Sequence, residues 1–108
     1  MDVPEIDIAE AAARHAAGTP VIDVREPDEY IEGHVPGAPL IPLGSVPDRV
    51  DEFPAIAEVL IICKMGGRSR TAAEYLRGQG IDAVNVAGGT MAWIDAGHRV
   101  VLGDEPGA

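Results

Sequence analysis

Cysteine, lysine and long apolar runs are all scarce in this chain of 108 residues. Cys63 is the only cysteine, which excludes an internal disulfide and is typical of a protein from a reducing compartment. No apolar run approaches the ~20 residues that a membrane-spanning helix needs. The N-terminal stretch MDVPEIDIAE is acidic and has neither the basic nor the apolar region of a secretory signal. We therefore expect a cytoplasmic protein.

Positive charge is also scarce, because 8 Lys and Arg residues face 18 Asp and Glu residues, for a formal net charge of −10. Such a surface repels phosphate backbones and anionic lipids, so we expect neither nucleic acid nor a membrane as a partner. Against this background, the only lysine, Lys64, and two arginines, Arg68 and Arg70, follow Cys63 closely. This local concentration of charge behind the single thiol indicates a site.

The length and composition indicate one domain. Hydrophobic residues make up 46% of the chain, which suits a globular fold with one core. There is no repeat, low-complexity tract or linker that would divide it. We predict a single domain over residues 1–108, with an ordered core at about 3–102 and a flexible polar tail at 103–108.

Segments rich in β-branched or apolar residues alternate with segments of helical periodicity. Strands are predicted at residues 19–24, near Leu40–Ile41, and at 58–63 and 81–87. Helices are predicted between Asp7 and Gly18, and at residues 27–30, 45–53, 69–80 and 88–97, with Asp7 and Ser45 as N-caps. This alternation predicts an α/β fold with a mainly parallel sheet and helices on both faces.

Cys63 is the last residue of a predicted central strand, and the loop behind it leads directly into a helix. Glycines let successive backbone N–H groups point inward, and a helix N-terminus adds further N–H groups and a positive dipole. Lys64 and Arg68 add full charges. Together these features should lower the thiol pKa from about 8.5 into a range of roughly 3.5–7.5. The pattern predicts a nucleophile and an anion site in one place, whereas the alternative is a buried, inert cysteine that closes a core strand.

The spacing between Cys63 and Arg68 bears on the kind of anion. Cysteine phosphatases place one more residue between the cysteine and the arginine of their loop, and that position here is Ser69. The shorter loop closes a tighter ring of N–H groups, with less room for a phosphoryl group. A phosphatase or an arsenate reductase is therefore disfavoured but stays an alternative.

Three motifs resemble one family. CKMGGRS resembles the C-x-x-G-x-R-S active loop of single-domain rhodanese-like sulfurtransferases, VIDVREPDEYIEGHVPGAPLIPL is similar to their N-terminal D-V-R motif, and NVAGGTMAW resembles their C-terminal G-G-x-x-A-W motif. The resemblance covers nearly the whole chain and departs from the pattern at Leu40, which follows Pro39. It implies a rhodanese-like three-layer fold with a central, mainly parallel, five-stranded sheet.

The resemblance also implies a function. Sulfane sulfur would pass from a small anionic donor such as thiosulfate to an external thiol or protein acceptor, or to cyanide in an assay, through a persulfide on the catalytic Cys63. The expected substrate-binding residues are Lys64, Met65, Gly66, Gly67, Arg68 and Ser69. We expect no metal, no cofactor, and a monomer or weak dimer. The alternative from another class is a sulfur-carrier or protein-binding module without turnover.

Other polar residues are assigned structural roles. Asp23 should cap backbone N–H groups while Arg25 holds a loop carboxylate such as Glu26 or Glu29, since buried charges are usually paired. The alternative is that Asp23 and Arg25 form a charge pair in the site. His34 should satisfy loop carbonyl groups rather than carry protons. Trp93 should anchor the last helix in the core.

Overall fold

A computed structural model describes residues 2–108 and has four strands and four α-helices. The strands are β1 (Glu5–Ile6), β2 (Val21–Asp23), β3 (Val59–Ile62) and β4 (Ala83–Val86). The α-helices are α1 (Ile8–Ala16), α2 (Pro27–Ile31), α3 (Gly67–Gly78) and α4 (Gly89–Asp95), and two short 3-10 helices span Leu43–Ser45 and Pro47–Glu52.

The sheet is parallel throughout, in the order β1-β4-β3-β2. The predicted α/β fold is therefore confirmed, but the five-stranded sheet is wrong for residues 2–108, where the sheet has four strands. The predicted strand near Leu40–Ile41 is reduced to one bridge between Leu40 and Asp23. Pro39 and Pro42 flank this segment, and because proline has no N–H to donate, a longer ladder cannot form there.

Helices cover both faces of the sheet, as predicted. Consecutive residues of β3 point to opposite sides, so that Leu60 packs with Ala11 of α1 and Trp93 of α4, while Ile61 packs with Leu76 of α3. All four β3 residues are buried. A strand that is covered on both faces favours apolar side chains at every position, which explains the continuous apolar sequence of β3.

Local signals fix some helix ends and fail at others. The Asp7 side chain accepts a hydrogen bond from the Glu10 amide at 2.9 Å, so the predicted N-cap of α1 is confirmed. The predicted helix at residues 45–53 is instead two 3-10 helices, and Ser45 ends the first of them rather than capping a longer one. Pro47 has no N–H for a continuous α-helical ladder, and Arg49 departs from helical backbone angles.

The segment after α4 returns to the body of the domain. The amide of Gly37 donates to the carbonyl of Pro106 at 2.9 Å, and Nε2 of His34 lies 2.9 Å from the carbonyl oxygen of Glu105. The other ring nitrogen of His34 lies within hydrogen-bond distance of the Tyr30 carbonyl oxygen, so both nitrogens of this buried imidazole contact backbone carbonyl groups. The flexibility of residues 103–108 stays a prediction.

None of the helices within residues 2–108 combines the length and hydrophobicity that crossing a membrane requires.

Candidate active site

Cys63 directly follows β3, and the loop behind it curls back over its sulfur. The amide of Gly66 donates a hydrogen bond to Sγ at 3.1 Å, and Oγ of Ser69 lies 3.2 Å from the same atom. The residue is only 1% exposed. The sulfur therefore sits beneath the loop, at the carboxyl end of a central strand, where parallel sheets place their ligands.

A glycine is required where the loop enters α3. Gly66 is the N-cap of this helix and has a φ of +110°, a backbone conformation that other residues adopt only under strain. A Cβ atom there would also lie 3.4 Å from the Gly88 amide. The left-handed turn at Gly66 allows its N–H to point at the sulfur while α3 begins one residue later.

The N-terminus of α4 holds the other side of the loop. The amide and the hydroxyl of Thr90 both donate to the Cys63 carbonyl, at 2.8 and 2.9 Å, and the amide of Met91 donates to the Lys64 carbonyl at 3.1 Å. A Cβ at Gly89 would lie 2.5 Å from that Lys64 oxygen. The Gly88–Gly89 turn thus permits the close backbone contact that fixes the two residues at the start of the loop.

The pKa of Cys63 is set by two opposing influences. Burial of the thiol raises the pKa, but hydrogen bonds from the Ser69 hydroxyl and from the backbone amides of Ser69, Gly66 and Met65 outweigh it. The net effect is a thiol pKa below its usual value. Donors that point at a thiolate stabilise the charged form, so this arrangement prepares a nucleophile.

Arg68 points toward α2. Its Nη1 and Nη2 atoms bind the two carboxylate oxygens of Glu29 at 2.6 and 2.9 Å. The hydrogen bonds from Arg68 lower the pKa of Glu29 to about 2, and the same bonds raise the pKa of Arg68. The sequence suggested Glu29 as a partner for Arg25, whereas the structure pairs it with Arg68.

Asp23 and Arg25 form a buried ion pair beside the site. Nη2 of Arg25 lies 2.8 Å from Oδ2 of Asp23, and the same guanidinium donates to the Gly33 and Glu29 carbonyl oxygens. Asp23 also accepts from the Arg25 backbone amide. The two charges compensate each other, and backbone carbonyl groups accept the other hydrogen bonds of the guanidinium. Arg25 therefore has a structural role, but its partner is Asp23 and not the expected loop carboxylate.

A cavity of about 220 Å³ opens next to the loop. Its lining includes Arg25, Glu29, Lys64, Thr90 and Met91. Lys64 thus reaches this cavity from the loop, while the Met65 side chain is 67% exposed to solvent. The lining combines the cations Arg25 and Lys64 with the carboxylates of Glu29 and Glu32 and with apolar side chains, and Cys63 itself does not line the cavity.

Of the seven residues that the sequence assigned to the site, four meet at the sulfur: Cys63 itself, and Met65, Gly66 and Ser69, which donate to it. Gly67 begins α3, and Arg68 is held by Glu29. One polar residue that sequence reasoning missed is Asn85, whose Oδ1 lies 2.5 Å from Ser69 Oγ. The available signal was an asparagine that interrupts the apolar β4 strand, AVNV, in which every residue is buried.

Comparisons with known proteins identify the family to which the chain is similar. The Rhodanese-like domain family matches residues 7–96. A protein of Allochromatium vinosum named sulfurtransferase is 37% identical over 103 residues, which cover 92% of this chain and 95% of that protein. The thiosulfate sulfurtransferase GlpE of Pseudomonas entomophila is 38% identical over 85 residues, covering 78% of each chain.

Solved structures show the same fold. A rhodanese-like domain protein from Staphylococcus aureus superposes with a TM-score of 0.85 at 35% identity, covering 94% of this chain and 99% of that one. A rhodanese-related protein from Thermoplasma volcanium also gives 0.85, at 32% identity, covering 93% of this chain and 99% of that one. With a family match over most of its length and relatives named sulfurtransferases, the chain belongs to the rhodanese-like domain family.

Proposed function

We propose that this protein is a thiosulfate sulfurtransferase that works through a persulfide on Cys63. The observation that carries the proposal is the ring of donors on its sulfur, from the Gly66 amide and the Ser69 hydroxyl, in a loop of rhodanese type. The hydrogen bonds that lower the pKa of the thiol make it easier to ionise and so support Cys63 as the nucleophile. The name of the GlpE relative supports thiosulfate as the donor.

The reaction has two steps. In the first, the Cys63 thiolate attacks the outer sulfur of thiosulfate, a new S–S bond forms, and the old S–S bond breaks as sulfite leaves with its electron pair. In the second, cyanide or an acceptor thiolate attacks the outer sulfur of the persulfide and regenerates the Cys63 thiolate. Each step moves one sulfur atom without a net gain of electrons, so the cycle needs no redox partner.

The backbone N–H groups of the loop and the side chain of Lys64 have separate roles in this reaction. Backbone N–H groups around the sulfur can stabilise the negative charge as it moves to the outer sulfur of the persulfide. Lys64 lines the adjoining cavity and can attract the donor anion and the departing sulfite. Because the chain has no second cysteine, the persulfide must pass directly to an external acceptor.

The test is the steady-state rate of thiocyanate formation from thiosulfate and cyanide. The wild type should turn over, and Cys63→Ser should lose all activity while far-UV circular dichroism shows an unchanged fold. Hydrolysis of para-nitrophenyl phosphate serves as the competing reaction. Phosphate hydrolysis that depends on Cys63, without thiocyanate formation, would replace this proposal with a phosphatase. A persulfide that forms but does not turn over would favour the carrier module.

A further inference from the structure

Asn85 lies behind the sulfur site, fully buried in β4. Its Nδ2 donates to the Gly66 carbonyl at 3.1 Å and to Oε2 of Glu5 at 2.7 Å. Its Oδ1 lies 2.5 Å from Oγ of Ser69. One side chain therefore contacts two of the residues whose donors reach the Cys63 sulfur, Gly66 and Ser69.

The orientation of the Asn85 amide follows from its partners. A carbonyl oxygen and a carboxylate oxygen can only accept hydrogen bonds, so the atom between Gly66 and Glu5 must be the NH₂ group. The oxygen of the amide then faces Ser69. Because this oxygen carries no hydrogen, the short contact to Oγ requires the Ser69 hydroxyl to be the donor.

Ser69 has one hydroxyl proton and two neighbours that can accept it. Oδ1 of Asn85 is 2.5 Å away and Sγ of Cys63 is 3.2 Å away. When Cys63 is a thiol, its S–H can donate to Ser69 Oγ while the hydroxyl donates to Asn85. When Cys63 loses its proton to solvent, that S–H donor is gone, and the hydroxyl has to turn from Asn85 to the sulfur in order to stabilise the thiolate.

We propose that Asn85 is a positioning residue that competes with the Cys63 sulfur for the single proton of Ser69. The hydroxyl then faces the sulfur only while Sγ carries the negative charge. The consequence for catalysis rests on the proposed function. In a persulfide the charge moves to the outer sulfur, so the hydroxyl returns to Asn85 and the donor ring adjusts to the loaded state without movement of the backbone.

The competition from Asn85 should make the Cys63 thiol harder to ionise. The Ser69 hydroxyl has to give up its hydrogen bond to Oδ1 of Asn85 before it can donate to the sulfur, so this bond opposes ionisation of the thiol. Removing the acceptor on Asn85 should therefore make the thiolate easier to form. A neutral hydrogen bond of ordinary strength corresponds to a shift of the ionisation midpoint by about 0.5 to 1 pH unit.

The charged groups around Cys63 stay the same in this comparison. They come from the loop, from α3, from α2 and the residues on either side of it, and from β1 and β2, and they are Lys64, Arg68, Arg70, Glu29, Glu32, Arg25, Asp23 and Glu5. α4 faces the loop with Gly89, Thr90 and Met91, which do not titrate. A difference between variants that change only Ser69 or Asn85 therefore reports their hydrogen bonds.

The experiment measures the rate of iodoacetamide alkylation against pH in the full chain, where Cys63 is the only thiol. Asn85→Leu, which removes the acceptor and keeps the branched shape of the side chain, should lower the midpoint by about 0.5 to 1 unit. Ser69→Ala should raise it. The double variant should match Ser69→Ala, since Asn85 acts through Ser69. A raised midpoint in Asn85→Leu alone would mean that Asn85 only supports the loop, and would overturn the proposal.

A second measurement uses the wild type, in case Asn85→Leu does not fold. The side-chain amide signals of Asn85 in a ¹H–¹⁵N spectrum should move with pH, with the same midpoint as alkylation. Most of this movement should be lost in Ser69→Ala. If the Asn85 amide signals of the wild type do not move as Cys63 ionises, the proposal that Asn85 competes for the Ser69 proton is contradicted. Neither measurement uses a sulfur donor, so both stay interpretable if the thiosulfate assay fails.

Discussion

Arg68 and Glu29 form a two-point ion pair that joins the first turn of α3 to α2, with N–O distances of 2.6 and 2.9 Å. The pair compensates the charge of Arg68 and fixes the direction of its guanidinium. The sequence predicted that backbone N–H groups, the N-terminus of a helix and the cations Lys64 and Arg68 together lower the pKa of Cys63. In the structure, the influences that lower its pKa most are hydrogen bonds from Ser69, Gly66 and Met65. Arg68 therefore acts on the site first through its pairing with Glu29, which ties α3 to α2.

Replacing Arg68 by lysine should reduce sulfur transfer. Arg68→Lys keeps the positive charge but loses the planar fork that matches the Glu29 carboxylate. We expect kcat/KM for thiosulfate to fall about 10- to 100-fold, the equivalent of one charge-assisted hydrogen bond. The matched control is Arg70→Lys, because Arg70 is exposed and lies 3.7 Å from Glu5. Equal losses in both variants would contradict a specific role for the Arg68 fork.

The Arg68–Glu29 pair should make stability depend on pH in the acid range. Since the pKa of Glu29 falls from 4.5 to about 2 on folding, its contribution is complete above about pH 4.5 and is lost as pH falls toward 2. Glu29→Gln should lower the free energy of unfolding by about 1 kcal/mol or less at neutral pH, with a difference that shrinks below pH 4.5. Urea denaturation between pH 7 and 3 measures this.

The exposed pair of Glu52 with Arg49 provides the control for that experiment. Glu52→Gln should change the pH dependence less, because solvent screens this pair more strongly. If Glu29→Gln differs from the wild type by a constant amount down to pH 3, the ion pair is not the cause.

Gly89→Ala should damage the site more than an equally strained glycine substitution elsewhere. Gly89 and Gly97 both have positive φ, 58° and 86°. A Cβ at Gly89 would lie 2.5 Å from the Lys64 carbonyl oxygen, whereas a Cβ at Gly97 meets nothing within 4 Å. Gly97→Ala should cost about 1–2 kcal/mol of stability and leave activity intact. Gly89→Ala should cost more and displace the loop, which the thiosulfate assay and urea denaturation together detect.

The buried Asp23–Arg25 pair should matter for folding. Arg25→Met leaves Asp23 buried and unpaired, and we expect a loss of about 3–5 kcal/mol in the free energy of unfolding. The double variant Asp23→Leu, Arg25→Met should recover part of that loss, because no isolated charge remains. Arg49→Met, which breaks an exposed pair with Glu52, is the control and should cost little. Lost activity with unchanged stability in Arg25→Met would place Arg25 in the chemistry instead.

Local sequence signals were sufficient to predict the strand, loop and helix that carry Cys63, but not the side chains that contact the loop. The apolar run before Cys63 and the glycines after it predicted a thiol between β3 and α3, and the structure has that order. The strand β1 was missed because Glu5–Ile6 is too short to show a period and is defined only by its pairing with β4. The predicted strand near Leu40 was wrong because the neighbouring prolines limit its ladder to one bridge.

The partners of the loop could not be predicted from local patterns. Glu29 is 39 residues from Arg68, and Asn85 is 16 residues from Ser69. Which side chains meet there depends on the packing of α2 and β4 against the loop. An asparagine within a buried strand does indicate that its amide must form hydrogen bonds with other buried groups, but the sequence does not identify those groups.

The most direct test of the account is the mass of the intact protein after incubation with thiosulfate. If the hydrogen bonds from Gly66 and Ser69 keep the Cys63 sulfur ionised, one adduct of about 32 Da should appear on the peptide that contains Cys63, and cyanide should remove it. Protein that stays unmodified by thiosulfate, while iodoacetamide still alkylates Cys63 at neutral pH, would contradict the claim that this thiolate accepts sulfur.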